Sequence, residues 1–189
     1  NIMGTVYVDK LDPQSGTALE IGTSGDTITV PSGATFNVAG TLQTGGSALV
    51  TGKILQVVTG VSSVAATTTS NSFIQKATPT VSITPSSSSN KIYLSGHIYC
   101  ACSSNYIMVT FGRVISGGAT TTNISGETYG MGMQNVSRES SIAFSYLDSP
   151  STTSAISYYF YFKNDNGSTS VQLGHNSIGA SITAMEVSV

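Results

Sequence analysis

His97 and His175 are the only imidazoles in the chain, Cys100 and Cys102 the only thiols, and nine carboxylates stand mostly singly in turn-rich stretches. General acid–base work needs a proton donor or acceptor held beside a second group. No GxSxG elbow, phosphate-cradling loop or HExxH pair supplies that arrangement. Glycan cleavage would need two carboxylates facing each other. The candidates Glu127, Glu139, Asp148 and Asp165 come from separate regions, and the sequence leaves open whether any two meet. His97 and His175 read as surface or hydrogen-bonded histidines. The expectation is a protein without enzymatic activity and without a cofactor.

The cysteines lie two residues apart, which on a strand puts both on one face about 6.5–7 Å from each other, beyond disulfide reach. They read as small apolar side chains in a core. A metal site shared around an assembly axis is the sharper reading, but it lacks a second ligand pair. Asn164-Asp165-Asn166-Gly167 has the look of a calcium loop without its later ligands, and a hairpin tip accounts for the same residues. Asn123-Ile124-Ser125, Asn135-Val136-Ser137 and Asn166-Gly167-Ser168 match the N-glycosylation pattern, which a Ser- and Thr-rich chain produces often by chance.

Binding residues are best sought at 116–138, a stretch long for a sandwich loop, because recognition concentrates on loops carried by a rigid scaffold. Within it Tyr129, Gln134, Asn135 and Arg138 offer the stacking and hydrogen bonds that sugars use. The alternative is that 127–135 forms another strand, with Met131 and Met133 inside a core or an inter-chain seam.

The elements that must position such residues are β-strands. Only 8% of the 189 residues are charged, while 39% are hydrophobic and nine Tyr and six Phe are present, so the chain folds. Thr, Val, Ile, Tyr and Phe favour a pleated, half-buried surface, and strong helix formers are scarce. A net charge of −2 with cations scattered singly gives no footprint for nucleic acid. No apolar run approaches the roughly 20 residues of a membrane helix. The first residue, Asn1, is not an initiator, which suggests a fragment.

Two regions differ in pattern. In 17–44, apolar pairs (Leu19 and Ile21, Ile28 and Val30, Phe36 and Val38, then Leu42) recur at about eight or nine residues, divided by Pro- and Gly-bearing turns. A loop at 9–13 leads in, and Thr44-Gly45-Gly46-Ser47 is a flexible exit. Such thin strands cannot offset chain entropy alone, and repeats of this kind gain a core only by stacking or by wrapping with other chains. A boundary near residue 52 separates this segment, 1–52, from a second domain, 53–189. There, strands are expected at 53–58, 81–83, 91–102, 106–115, 141–147, 155–162, 171–173 and 182–187, with 59–71 as loop or edge segment. An antiparallel sandwich or jelly roll fits. On the strand at 91–102, Ile92, Leu94, Ile98, Cys100 and Cys102 share the dry face. On 155–162 both faces are aromatic, and Tyr159 with Tyr161 implies an inter-subunit contact.

Leu11-Asp12-Pro13-Gln14-Ser15-Gly16-Thr17-Ala18-Leu19-Glu20-Ile21-Gly22, followed by Gly25-Asp26-Thr27-Ile28-Thr29-Val30-Pro31-Ser32-Gly33, resembles the repeat region of tailed-bacteriophage fibre and related virion proteins. Val81-Ser82-Ile83-Thr84-Pro85, Tyr146-Leu147-Asp148-Ser149-Pro150 and the closing Ser181-Ile182-Thr183-Ala184-Met185-Glu186-Val187 resemble the fibre-tip domains of the same proteins. The resemblance implies a homotrimer on the outside of a virion, with a shaft and a head similar to the jelly rolls of tumour-necrosis-factor and C1q-like proteins. It further implies attachment to other virion proteins at the N-terminal end and a host cell-surface glycan or protein as partner. Family members also serve as capsid-decorating or adaptor proteins, and a secreted C1q-like module remains the third reading. The family's motifs are structural, so they assign no binding residue.

Overall fold

In the computed structural model, residues 11, 15–17, 19, 21–44, 47–48, 54–135 and 138–188 are described. The loop expected at 9–13 apart from Leu11, the glycines Gly45 and Gly46, the boundary at 52, Lys53, Val136 and Ser137 lie outside them. The chain divides into two compact units, Asn1–Leu49 and Val50–Val189.

In the first unit, local turns are well made. Asp26 closes one through its N–H to the Thr23 carbonyl (3.0 Å), and its carboxylate accepts from the Thr23 N–H (2.7 Å). Gly25, at φ 95°, takes the left-handed conformation that turn requires. Ala34 N–H donates to the Pro31 carbonyl in the next (3.0 Å). Between the turns the expected strands have no ladder partner among the described residues. The described pairing is β1 (Gln43–Thr44) with β2 (Ser47–Ala48), so the ends of the expected flexible exit are tied to each other. Leu19, Ile21, Ile28, Val30, Phe36, Val38 and Leu42 are all exposed, Ile28 and Phe36 by 65% and 67%.

The second unit is two antiparallel sheets, with no helix among the described residues. Its strands are β3 (Ile54–Ser62), β4 (Ala66–Thr68), β5 (Ile74–Ile83), β6 (Lys91–Cys102), β7 (Ile107–Ile115), β8 (Thr120–Thr121), β9 (Gly132–Gln134), β10 (Arg138–Asp148), β11 (Ile156–Asn164), β12 (Val171–Leu173) and β13 (Ala180–Val187). One sheet centres on β6. Strand β10 pairs along one of its edges from Ile92 to Cys102, while β13 and then β12 share the other, followed outward by β3 and β4. The other sheet runs β5, β11, β7, with β8 and β9 on the outer edge of β7.

Alternation along the strands explains the sandwich, since inward residues of both sheets meet in one core. Ile92, Leu94, Ile98 and Cys100 from β6 are buried with Ile156, Tyr158, Phe160 and Phe162 from β11 and with Ile107, Val109 and Phe111 from β7. The Phe111 ring lies 5.4 Å from that of Phe160 and 4.7 Å from that of Phe144. Gly96 makes room for them: a Cβ there would stand 2.9 Å from the Phe160 ring.

The structure corrects several expectations. Strand β5 starts at Ile74, well before the expected 81, because Lys76, Thr78 and Pro79 hide the alternation. Its pairing with β11 jumps from Thr80 to Gln75, so Pro79 sits in an irregularity of an edge strand, where a missing N–H is tolerated. Asn164-Asp165-Asn166-Gly167 is no hairpin tip, since it carries the chain from β11 in one sheet to β12 in the other. Tyr161 does not form an inter-subunit face; it is buried within the unit, its ring lying over Gly112 and its hydroxyl donating to Gln75 Oε1 (3.0 Å). Segment 59–71 splits between the end of β3 and the edge strand β4.

Candidate functional site

Strand register separates the second unit into two ends. At one end the described chain enters β3 at Ile54, paired with Val187, beside Lys91 of β6. At the opposite, distal end β3 stops at Ser62, β6 stops at Cys102, and β10 begins at Arg138. Two short connections cross between the sheets there, 103–106 and 165–170.

Amide and hydroxyl groups lock these connections together. Asn105 and Asn166 exchange reciprocal amide hydrogen bonds of 3.0 and 2.9 Å, and Ser104 Oγ donates to Thr169 Oγ1 (3.2 Å). Asn166 Oδ1 further accepts from the backbone N–H of Ser168 (3.0 Å), which makes this segment a self-bonded turn. Among the described residues, no group of three or more His, Cys, Asp and Glu is placed to hold a metal ion.

Two depressions flank the connections. The first, about 440 Å³, opens beside Thr67, Ala101, Cys102, Glu139, Ser170 and Gln172 on the β6 sheet. The second, about 220 Å³, is lined by Tyr106, Met108, Tyr129, Met133 and Asp165 on the β7 side. Each receives residues from both connections or their flanks, so the distal end is where backbone irregularity, side-chain variety and surface relief coincide.

The four residues expected to bind a ligand lie along the stretch from the Tyr129 turn to the start of β10. Tyr129 lines the second depression and is 59% exposed. Gln134 ends β9, and its Oε1 accepts from Ser140 Oγ (2.6 Å). Asn135 is exposed on the link that follows, with its carbonyl accepting from the Cys102 thiol (3.3 Å). Arg138 opens β10, and its side chain lies outside the described residues. The described residues 116–135 are less a free loop than a flap. They contain β8 and β9, pack Ile124 and Met131 against the core, and tie Asn123 Oδ1 to Thr110 Oγ1 (2.8 Å), while Met133 stays 52% exposed.

The carboxylate candidates for glycan cleavage are dispersed. Asp148 is buried in an ion pair with Arg113 and accepts from the Tyr158 hydroxyl (2.7 Å), while burial followed by that carboxylate pushes the phenol up. Glu139 lines the first depression, Asp165 the second, and Glu127 is exposed near the flap turn. His97 Nδ1 meets Ser181 Oγ (3.1 Å), and His175 Nδ1 accepts from the Ser177 N–H while its ring lies 5.0 Å from that of Tyr99. Both thiols are free and buried, and burial raises that of Cys100 to about 12, far from reactivity.

The charged residues that sequence reasoning missed are structural. Glu186, 1% exposed, accepts from Ser86 N–H (2.7 Å), Ser86 Oγ (2.8 Å), Asn90 Nδ2 (2.6 Å) and Gln56 Nε2 (2.6 Å). Burial pushes its carboxyl up, but the hydrogen bonds from Asn90, Gln56 and Ser86 together outweigh this and hold it at about 2. Lys76 is buried against Gly174 and donates to the carbonyls of Val64 (2.7 Å) and Thr78, with burial lowering its amine.

The fold and the site thus define an antiparallel β-sandwich protein with its irregular surface at one end. No protein-family model matches the sequence, and no curated protein matches it. Among solved structures, that of the infectious bursal disease virus Gx strain is similar at a TM-score of 0.37 and 7% identity, covering 79% of this chain and 42% of that one. The VP2 subviral particle of the same virus follows at 0.33 and 10% identity, and its Gt strain at 0.32 and 10%, each covering 71% of this chain and 38% of the other. This chain spans less than half the length of these structures, and likeness at this level assigns it neither partner nor activity.

Proposed function

We propose that the protein is a non-enzymatic surface component of a virion, a homotrimer of fibre type. A shaft segment leads into a jelly-roll head whose distal end touches a host cell-surface glycan or protein. One observation carries the reading: in the first unit every described apolar pair is exposed, from Leu19 and Ile21 through Ile28, Val30, Phe36 and Val38 to Leu42. A repeat of apolar pairs that stand exposed among the described residues needs copies of itself, because exposed hydrophobic area of that extent marks association. The fibre-like phrasing of 11–33 supports the same assembly, and many modest contacts multiplied over three heads would supply avidity.

Light scattering on the full chain tests the assembly. A trimer that dissociates only together with unfolding is expected, and Phe36→Ser should weaken it, raising the protein concentration at which monomer appears. A stable folded monomer refutes the proposal. Binding of the purified trimer to host cells separates attachment from a purely decorating role on the capsid, since a decorating protein binds no susceptible strain.

A further inference from the structure

The smaller distal depression has a composition unlike the rest of the surface. Its walls are two phenols, Tyr106 and Tyr129, and two thioethers, Met108 and Met133, with one formal charge, the carboxylate of Asp165. That carboxylate has no hydrogen bond or ion pair among the described residues. The nearby amine of Lys163 is committed elsewhere, donating to the Thr128 carbonyl (2.8 Å) and lying 4.8 Å from the centre of the Phe73 ring.

The walls are held in place before any ligand arrives. Gly130 N–H donates to the Glu127 carbonyl (3.0 Å) and Met131 N–H to that of Val109 (2.9 Å), so Tyr129 stands on a turn closed on both sides. Only glycine fits the next position: φ is +73°, and a Cβ there would lie 2.7 Å from the Val109 carbonyl oxygen. Opposite, the Asp165 N–H donates to the Tyr106 carbonyl (3.1 Å), which fixes the carboxylate's residue to the second phenol's. A rigid turn that leaves Tyr129 59% and Met133 52% exposed keeps apolar, polarisable area open to solvent.

We propose that this pocket binds a quaternary ammonium group, resting on the reading of the distal end as the attachment surface and naming what it would take. Aromatic faces attract a desolvated cation, and a lone carboxylate at the rim selects positive over neutral or negative ligands. At about 220 Å³ the space is below the roughly 300–1,000 Å³ of sites for larger molecules, and it suits a compact head group. A sugar ring would demand a fan of hydrogen-bonding partners that two phenol hydroxyls and one carboxylate do not provide, whereas a tetra-substituted ammonium demands none.

Calorimetric titration of the full chain with choline and with tetramethylammonium chloride tests this, against 3,3-dimethylbutan-1-ol, the uncharged analogue of choline. Choline is expected to bind about tenfold or more tightly than the analogue, as cation–π attraction in a partly desolvated site implies. Tyr129→Ala and Asp165→Asn should each weaken choline about tenfold with unchanged melting curves, and Asp165→Asn should also remove most of the salt dependence. Tyr93→Ala, at an exposed tyrosine outside the pocket, should change nothing. Equal binding of choline and its analogue, an unaffected Asp165→Asn variant, or no saturable signal in the millimolar range overturns the proposal. Choline binding by a protein that does not attach to cells overturns the attachment reading alone. Attachment without choline binding overturns the ligand assignment alone.

Discussion

Replacing Glu186 by Gln should destabilise the second unit at neutral pH by an amount that vanishes in acid. The carboxylate is 1% exposed, and its two oxygens collect hydrogen bonds from Ser86, Asn90 and Gln56, fastening the 84–90 link and strand β3 to β13. Holding a carboxyl at about 2 against an ordinary 4.5 corresponds to about 3 kcal/mol of folding free energy. A depressed carboxyl contributes fully above its unfolded value and loses that contribution as pH falls toward its folded value. Integrating between the two, about 2 kcal/mol is gone by pH 3 and the remainder below it. Gln keeps one acceptor but sets an N–H₂ against groups that are themselves donors, so the loss at pH 7 should reach about 3 kcal/mol. Urea unfolding of wild type and Glu186→Gln at fixed protein concentration, from pH 7 down to 2.5, reads the difference. The two curves should converge in acid. A gap that stays constant across that range, or no gap at pH 7, refutes the assignment of Glu186 as a charged hub.

Gly112→Val should destabilise by about 2–3 kcal/mol, since even a Cβ there would stand 2.4 Å from the Tyr161 ring and 2.7 Å from the Thr121 carbonyl oxygen. Denaturant midpoints would show it, and a neutral result would mean that Tyr161 does not occupy the place described. Lys76→Met tests the buried amine. Because burial lowers its folded value below the ordinary 10.5, the wild type should gain stability relative to the variant as pH rises toward that value, where the unfolded chain still holds the proton. Parallel stability profiles of the two proteins between pH 8 and 10.5 would contradict the burial of that side chain.

How much of this was legible depended on how local the signal is. The strand β6 could be read end to end, because alternation from Ile92 to Cys102 needs only neighbouring residues to declare itself. The β11 core face was equally plain. What lay beyond reach were contacts of large sequence separation. Nothing in Gln56, Ser86 or Asn90 announces a shared carboxylate at Glu186, and Asp148, a candidate carboxylate for glycan cleavage, is closed over by Arg113 from β7 and Tyr158 from β11. Tyr161 misled for a related reason. An aromatic on the second face of a strand implies a partner, but the partner was the absence of a side chain at Gly112, a neighbour one strand away.

The expected binding loop shows the same division at the level of function. Tyr129 stands out by its type and by its place in a long stretch between strands, both local features, and it does line a distal depression. The residues completing that depression, Tyr106 and Asp165, belong to the two connections that cross between sheets, and their meeting depends on the topology rather than on spacing. Gln134, by contrast, is spent on Ser140, because ladder pairing beside β7 turns it toward the start of β10. A chain with so few charges leaves Asp165 conspicuous for a physical reason. Asp148 and Glu186 are neutralised or hydrogen-bonded inside the fold, whereas Asp165 sets a carboxylate without a partner among the described residues beside two phenols, a surface feature that stability does not explain.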